Sequence, residues 1–246
     1  MPQENLSFPL CQEEFEPMTL ALAARHCEHV LMAADGMAYR HQRDSDYPFS
    51  TEKLHRVEKY GWIFCFSGEG RAKTAAQQID EEIRANKWSA PSVSIVSGGN
   101  AYLQRVKELT QGIRNTSFML VGRDDREEAK VMSTSSEEEG ISEVAEFPFA
   151  IAAQRATALW MLRVLLPCCT TLEQAKRLMC FTIWQAAKSD IKVGALELGY
   201  RIGLCVLSPD VRPDFADIAP TSLQGSMERL LGDMQEAFKA AIQRLI

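Results

Sequence analysis

The chain has 246 residues, 46% of them hydrophobic, and a formal net charge of -6 with both signs spread along its length. That length can bury a large core, and an acidic balance without a basic field weighs against a protein that holds phosphate backbones. No apolar run approaches the roughly 18 residues a membrane span needs, and the start MPQENLSFPLCQEEFEP carries acids where a signal peptide carries Lys or Arg. A cytoplasmic protein with no nucleic-acid and no membrane partner is therefore expected.

In chain order, residues 1–17 are polar and punctuated by Pro, and are expected to form an N-terminal arm. TLALAA (Thr19 to Ala24) and HVLMAA (His29 to Ala34) are apolar runs too short for stable helices, so they read as an antiparallel pair buried on both faces. RHQRDSDYPFST is expected to be a charged loop. KLHRVEKY and WIFCFSG read as a second strand pair turning around Tyr60 and Gly61, and four strands in succession predict one sheet. EGRAKTAAQQIDEEIRANK then switches to helical periodicity, with Ala72, Ala75, Ala76, Ile79 and Ile83 on one stripe behind Gly70. GNAYLQRVKELTQGI repeats the pattern with Tyr102, Leu103, Val106 and Leu109.

SFMLVGRDD, AKVMSTSS and EVAEFPFAIAA read as a further strand group, interrupted by the solvated acidic turn SEEEG. AAQRATALWMLRVLL and TLEQAKRLMCFTIWQAAK are expected helices, the second opened by Thr170 or Thr171 as N-cap with Glu173 and Gln174 close behind. Trp160 and Trp184 stand at helical spacing among Leu and Met and are assigned to the core. ELGYRIGLCVLSP closes the strands. Beyond Pro220, Leu223, Met227, Leu230, Leu231, Met234, Phe238, Ile242 and Leu245 form the stripe of a last amphipathic helix. The order predicts an α+β chain folded as a four-layer αββα sandwich. One domain is expected over residues 18–218, with residues 219–246 as its C-terminal helix or an oligomer contact.

The seven cysteines, at 11, 27, 65, 168, 169, 180 and 205, are an odd set mostly inside apolar segments, which suits reduced thiols. RHCEH places His26, Cys27 and His29 together, but residues of one hairpin turn do not converge on a metal without further ligands, and no zinc-type spacing follows. No metal and no cofactor are expected. SGEGRAK lacks the Gly-Lys-Ser/Thr ending of a nucleotide phosphate loop. His41 and His55 lie in or near polar segments and are given no chemical role.

The sequence TLALAA...HVLMAADGMA, followed by STEKLHRV, GWIFCFSGEGRAKTAAQQI, TLEQAKRLMCFTIWQAAKSDIKVG and YRIGLCVLS, resembles the proteasome-type N-terminal-nucleophile hydrolases over roughly Thr19 to Pro209. The resemblance is to a divergent, bacterial-like proteasome subunit. It implies a threonine-type endopeptidase in which an N-terminal Thr supplies both the nucleophilic hydroxyl and, through its own amino group, the general base. On this resemblance Thr19 is the nucleophile, Lys53 lowers the pKa of its hydroxyl, Asp35 holds Lys53, Asp190 stands beside the nucleophile, and Gly68 or Gly70 offers an amide to the oxyanion. Gly36 lets the backbone approach closely. The resemblance further implies a homo-oligomer, a ring in many members, with a peptide substrate and an ATPase or regulatory partner.

Several positions depart from the family pattern. Ala152, Ala153 and Gln154 stand where active members carry Gly-Ser-Gly, and Val193 and Gly194 stand where they carry Ser-Gly. Met18 precedes Thr19 in place of the usual Gly, and activity requires the removal of residues 1–18. Aligning the first strands without a gap makes Thr19 the first family residue, whereas a longer turn at RHCEH makes it the second or third. Two other readings therefore stand beside the peptidase: a non-catalytic structural or regulatory homologue, and an amidohydrolase acting on a small amide.

Overall fold

The computed structural model describes residues 20–42, 45–138, 140–144, 147–152, 155–189, 201–208 and 214–218. Thr19, Asp190, Val193, the expected arm over residues 1–17 and the expected helix over residues 219–246 lie outside these residues.

The described chain is a mixed α/β structure with two antiparallel five-stranded sheets and four α-helices. β1 (Leu20–His26) and β2 (His29–Asp35) form the expected hairpin, closed by Cys27 at φ 54. In the first sheet they sit between β10 (Phe149–Ala152) on one side and β11 (Ile202–Leu207) and β12 (Asp214–Ile218) on the other. The second sheet runs in chain order: β5 (Leu54–Val57), β6 (Trp62–Ser67), β7 (Ser117–Arg123), β8 (Ala129–Ser135) and β9 (Ser142–Val144). Over these strands lie α1 (Arg71–Arg84) and α2 (Asn100–Leu109), the latter preceded by a π-helical turn at Ile95–Gly99. α3 (Arg155–Leu165) and α4 (Leu172–Ser189) pack on β1 and β2.

The period-2 alternation of each strand sorts its apolar residues into different cores. Leu20, Leu22, Ala24, Leu31 and Ala33 face α3 and α4, where they meet Leu162, Leu178, Phe181 and Ile183. Their neighbours Ala21, Ala23, Val30, Met32 and Ala34 join Ile63, Cys65, Met119, Val121 and Val131 of the second sheet. The other face of that sheet, with Trp62, Phe64, Phe66, Phe118 and Leu120, packs on the predicted stripes of α1 and α2. Both β1 and β2 therefore lose their apolar surface to two cores at once. The expected capping of α4 is present: the Thr171 hydroxyl accepts from the Gln174 amide at 3.2 Å, and the Gln174 side chain accepts from the Thr171 amide at 3.2 Å.

Four expectations require correction. The first four strands do not share a sheet: β1 and β2 pair with distant strands, while β5 and β6 start the second sheet. RHQRDSDYPFST is not a loop, because β3 (Met37–Gln42) and β4 (Ser45–Ser50) pair as a separate ribbon, whose backbone hydrogen bonds do not need an apolar run. EVAEFPFAIAA is two strands, β9 on the second sheet and β10 on the first, since the chain crosses from one sheet to the other around Pro148. Trp160 is 61% exposed on α3, whereas Trp184 is buried as expected.

Candidate functional site

β2 ends on a carboxylate that is fully buried. In the hairpin register Ala21 opposes Ala34, so Leu20 is the next residue opposite Asp35. There the side chain of Asp35 intervenes: its Oδ1 accepts from the Leu20 amide at 2.9 Å and its Oδ2 from the Met37 amide at 3.3 Å. A buried carboxylate with two backbone donors ends the ladder without leaving an orphan amide. Lys53, just before β5, reaches in from the second sheet and donates from Nζ to Asp35 Oδ1 at 2.9 Å, with both side chains fully buried.

Burial acts against the charge on each partner. It pushes the Asp35 carboxyl up, opposed by the charge and hydrogen bond of Lys53 and by the two backbone donors. Burial likewise pushes the Lys53 ammonium down, and Asp35 opposes that shift. Cys65, on the neighbouring strand, is pushed up to about 12 by burial, with Lys53 opposing and Asp35 adding to the shift. Its thiol takes no part as a thiolate near neutral pH.

The turn after Asp35 is packed too closely for a side chain. A Cβ on Gly36 would stand 2.5 Å from the carbonyl oxygen of Arg201, next to β11. The carbonyl of Gly36 in turn accepts from the Thr51 amide at 2.9 Å, tying the turn to the segment that carries Lys53. Around this junction lies a cavity of about 680 Å³, walled by Asp35, Gly36, Lys53, His55, Lys73 and Arg201 among others. Lys73 on α1 pairs with Glu52 at its rim at 3.5 Å.

Of the candidate residues, the structure brings Asp35 and Lys53 into one ion pair. Gly68 and Gly70 form the turn between β6 and α1, with Gly70 at the N-cap of α1. Gly68 has φ +117, and a Cβ there would lie 2.6 Å from the carbonyl oxygen of Asn115, so this position requires glycine on backbone grounds alone. Neither glycine is among the described residues that wall the cavity. His55, given no role from sequence, bonds through Nε2 to Asp80 Oδ2 on α1 at 2.8 Å. The strand-to-helix register that pairs them leaves no local signal in sequence. His26 and His29 turn away from one another, His26 Nε2 to the carbonyl of Cys169 and His29 Nδ1 to the hydroxyl of Ser208, each at 3.0 Å. Among the described residues no group of three or more His, Cys, Asp or Glu can hold a metal ion, and no helix is long and apolar enough to cross a membrane.

Solved structures with the same arrangement of strands and helices decide the fold. Anbu, the ancestral beta-subunit, from Yersinia bercovieri superposes with a TM-score of 0.69 at 14% identity, covering 90% of this chain and 96% of that one. The chain has the Anbu fold. An Anbu (Gly-1) mutant from Hyphomicrobium sp. strain MC1 gives a TM-score of 0.66 at 17% identity over 90% of this chain and 97% of that one. A helical assembly of the Anbu complex from Pseudomonas aeruginosa gives 0.69 at 14% identity over 90% and 96%. No protein-family model matches the chain, and neither does any curated protein sequence. The expected divergent bacterial-like proteasome subunit is corrected by these matches, which are to Anbu. A buried acid after the second strand and a lysine before the fifth constrain only the site junction, so they do not separate Anbu from other chains of related architecture.

Proposed function

We propose that this chain is a proteasome-like, self-assembling subunit of the Anbu kind, layered as an αββα sandwich, that hydrolyses peptide bonds with Thr19 as an N-terminal nucleophile. The observation that carries the reading is the Asp35 carboxylate, which holds both the Lys53 ammonium and the amide of Leu20, the residue after Thr19 in sequence. The three apolar cores, one between the sheets and one under each helix pair, support the layering.

In this mechanism the hydroxyl oxygen of Thr19 attacks the substrate carbonyl carbon and its proton passes to the free α-amino group, which then delivers it to the leaving amine. The positive charge of Lys53 favours the developing alkoxide, and Asp35 keeps that buried ammonium in place. Asp190 orders the amino end. Water then attacks the acyl-threonine ester, releasing the acid and restoring the hydroxyl. No cofactor enters these steps. Self-assembly follows the description of the Pseudomonas aeruginosa Anbu complex as a helical assembly; a head-to-tail contact gives a ring where its rotation closes and a helix where it does not. The oligomer operates on peptides with an ATPase or regulatory partner, in the cytoplasm.

Intact mass spectrometry of the untagged protein, before and after incubation with an N-terminal-threonine-directed epoxyketone, tests the reading. A chain beginning at Thr19 that gains one inhibitor mass is the expected result. A chain that retains residues before Thr19 and gains no adduct refutes the hydrolase and leaves the assembly. Light scattering at micromolar concentration tests that part separately, and a clean monomer refutes it.

A further inference from the structure

α3 turns an apolar stripe to solvent. Trp160 is 61% exposed and Val164 39%, one turn apart on the same face, with Ala156 exposed a turn before them and Pro167 exposed just beyond the helix. Arg155 and Arg163 are exposed beside this stripe. The helical hairpin that carries it is basic although the chain as a whole is acidic. Against Arg155, Arg163, Lys176 and Arg177 it sets one described carboxylate, Glu173, which already takes Lys176 at 3.7 Å and Arg177 at 3.8 Å. An exposed indole and valine framed by unpaired arginines have the make-up of a contact surface whose occupant is apolar and acidic.

The path of the backbone shows which segment reaches it. Leu20 opposes Ala152 at the end of β10, and α3 starts three residues later at Arg155. At the far end His26 Nε2 meets the carbonyl of Cys169 at 3.0 Å, so α3 runs along β1 from its Leu20 end to its His26 end. Residues 1–17 are separated from Leu20 only by Met18 and Thr19, and so leave the folded body where α3 begins. They carry Glu4, Glu13, Glu14 and Glu16, no Lys or Arg, and the apolar side chains of Leu6, Phe8, Leu10 and Phe15. α3 is about 16 Å long at about 1.5 Å per residue, whereas a segment of this length spans up to about 56 Å. A tether in cis gives such a segment an effective concentration of about millimolar, so weak contacts suffice. A second copy of the same face would instead bring cations against cations, which disfavours it.

We propose that the exposed face of α3 is the docking surface for the chain's own residues 1–17, whose apolar side chains cover Trp160 and Val164 and whose carboxylates meet Arg155 and Arg163. The contact belongs to the uncut chain and does not depend on Thr19 chemistry.

Photocrosslinking tests it, with p-benzoylphenylalanine in place of Trp160 in the full-length Thr19→Ala chain. That chain keeps residues 1–18 whether or not Thr19 is a nucleophile, so the outcome is separate from that of the hydrolase reading. A mixture of isotopically light and heavy chains is irradiated, and the products are mapped by peptide mass. The expected crosslink joins position 160 to residues 1–17 of the same chain, light to light and heavy to heavy. Arg155→Glu with Arg163→Glu should lower its yield at least fivefold, and adding Glu13→Lys, Glu14→Lys and Glu16→Lys should restore it. The three arm substitutions alone should give the same loss, which keeps the test valid if the α3 variant fails to fold. Crosslinks from position 160 to α3 or α4 of a second copy, crosslinks to residues 1–17 that mix light and heavy chains, or no crosslink overturn the inference. So does a crosslink to residues 1–17 that survives both charge reversals.

Discussion

Lys53→Met isolates the buried ion pair at the site junction. The substitution keeps a long apolar stem but removes the ammonium from a position where both side chains are fully buried. Asp35 then keeps the amides of Leu20 and Met37 and loses its only counter-charge among its described partners. Removing one member of a buried pair costs about 3–5 kcal/mol. With about 2–4 °C per kcal/mol for a chain of this size, that is a Tm lower by roughly 6–20 °C. The loss depends on pH with a defined sign. Burial already raises the Asp35 pKa with Lys53 present, and the variant removes the largest opposing influence. A raised acid contributes stability that is fully present below the unfolded value of 3.8 and is lost as pH rises through the folded value. The variant should therefore lie closest to wild type in acid and fall furthest behind at neutral pH and above. Urea unfolding of both proteins at pH 7.5 and pH 5, at one fixed protein concentration, measures this. Asp35→Asn combined with Lys53→Met should recover much of the loss, because no charge then remains buried. A single variant within about 1 kcal/mol of wild type at pH 7.5 would refute the reasoning, as the pair would then carry no dehydrated charge.

Three further outcomes are expected. Gly36→Ala should destabilise by about 1–3 kcal/mol as the backbone around Arg201 gives way to the new Cβ, whereas Gly140→Ala, with open space around its Cβ, should be near neutral; urea midpoints separate the two. Alkylation of the native protein with iodoacetamide at pH 8, mapped by peptide mass, should label the exposed Cys27 and Cys168 well before Cys65 and Cys180, whose thiols burial pushes up to about 12. Thr171→Ala should cost about 1 kcal/mol by removing the reciprocal cap with Gln174 at the start of α4, and Thr171→Ser should restore most of it in the same unfolding assay.

Most elements were legible because their burial is written as periodicity. The stripe Ala72, Ala75, Ala76, Ile79 and Ile83 is buried as the helical spacing requires, and the two-sided runs of β1 and β2 announced strands with a core on each face. The local pairs β1–β2 and β5–β6 were legible, but the long-range pairing was not, because register between β1 and β10 or β2 and β11 depends on partners more than a hundred residues away. The β3–β4 ribbon was missed for the opposite reason: HQRDSDYP is too polar to register as a strand. Trp160 was misplaced because neighbouring apolar residues on α3 face the core while its own angular position faces out. At the site, the pairing of Asp35 with Lys53 was anticipated only through family resemblance; spacing alone says nothing of two side chains meeting across sheets. His55 with Asp80 carried no signal at all in sequence.

The sheet order around β2 sets a timetable for synthesis. The acid that anchors Lys53 lies in the first part of the chain, yet its strand stands between β1 and β11, and Ile202 is its backbone partner. The gap that forbids a side chain at Gly36 is closed by Arg201. A nascent chain on the ribosome can form the β1–β2 hairpin and dock α1 and α2 early, but the wall over Asp35 stays open until residues 201–207 emerge. Truncated or stalled products therefore expose a hydrated carboxylate instead of a sealed ion pair. Closure of the junction therefore waits on β11, which supplies the backbone over Gly36 and the partner of Asp35.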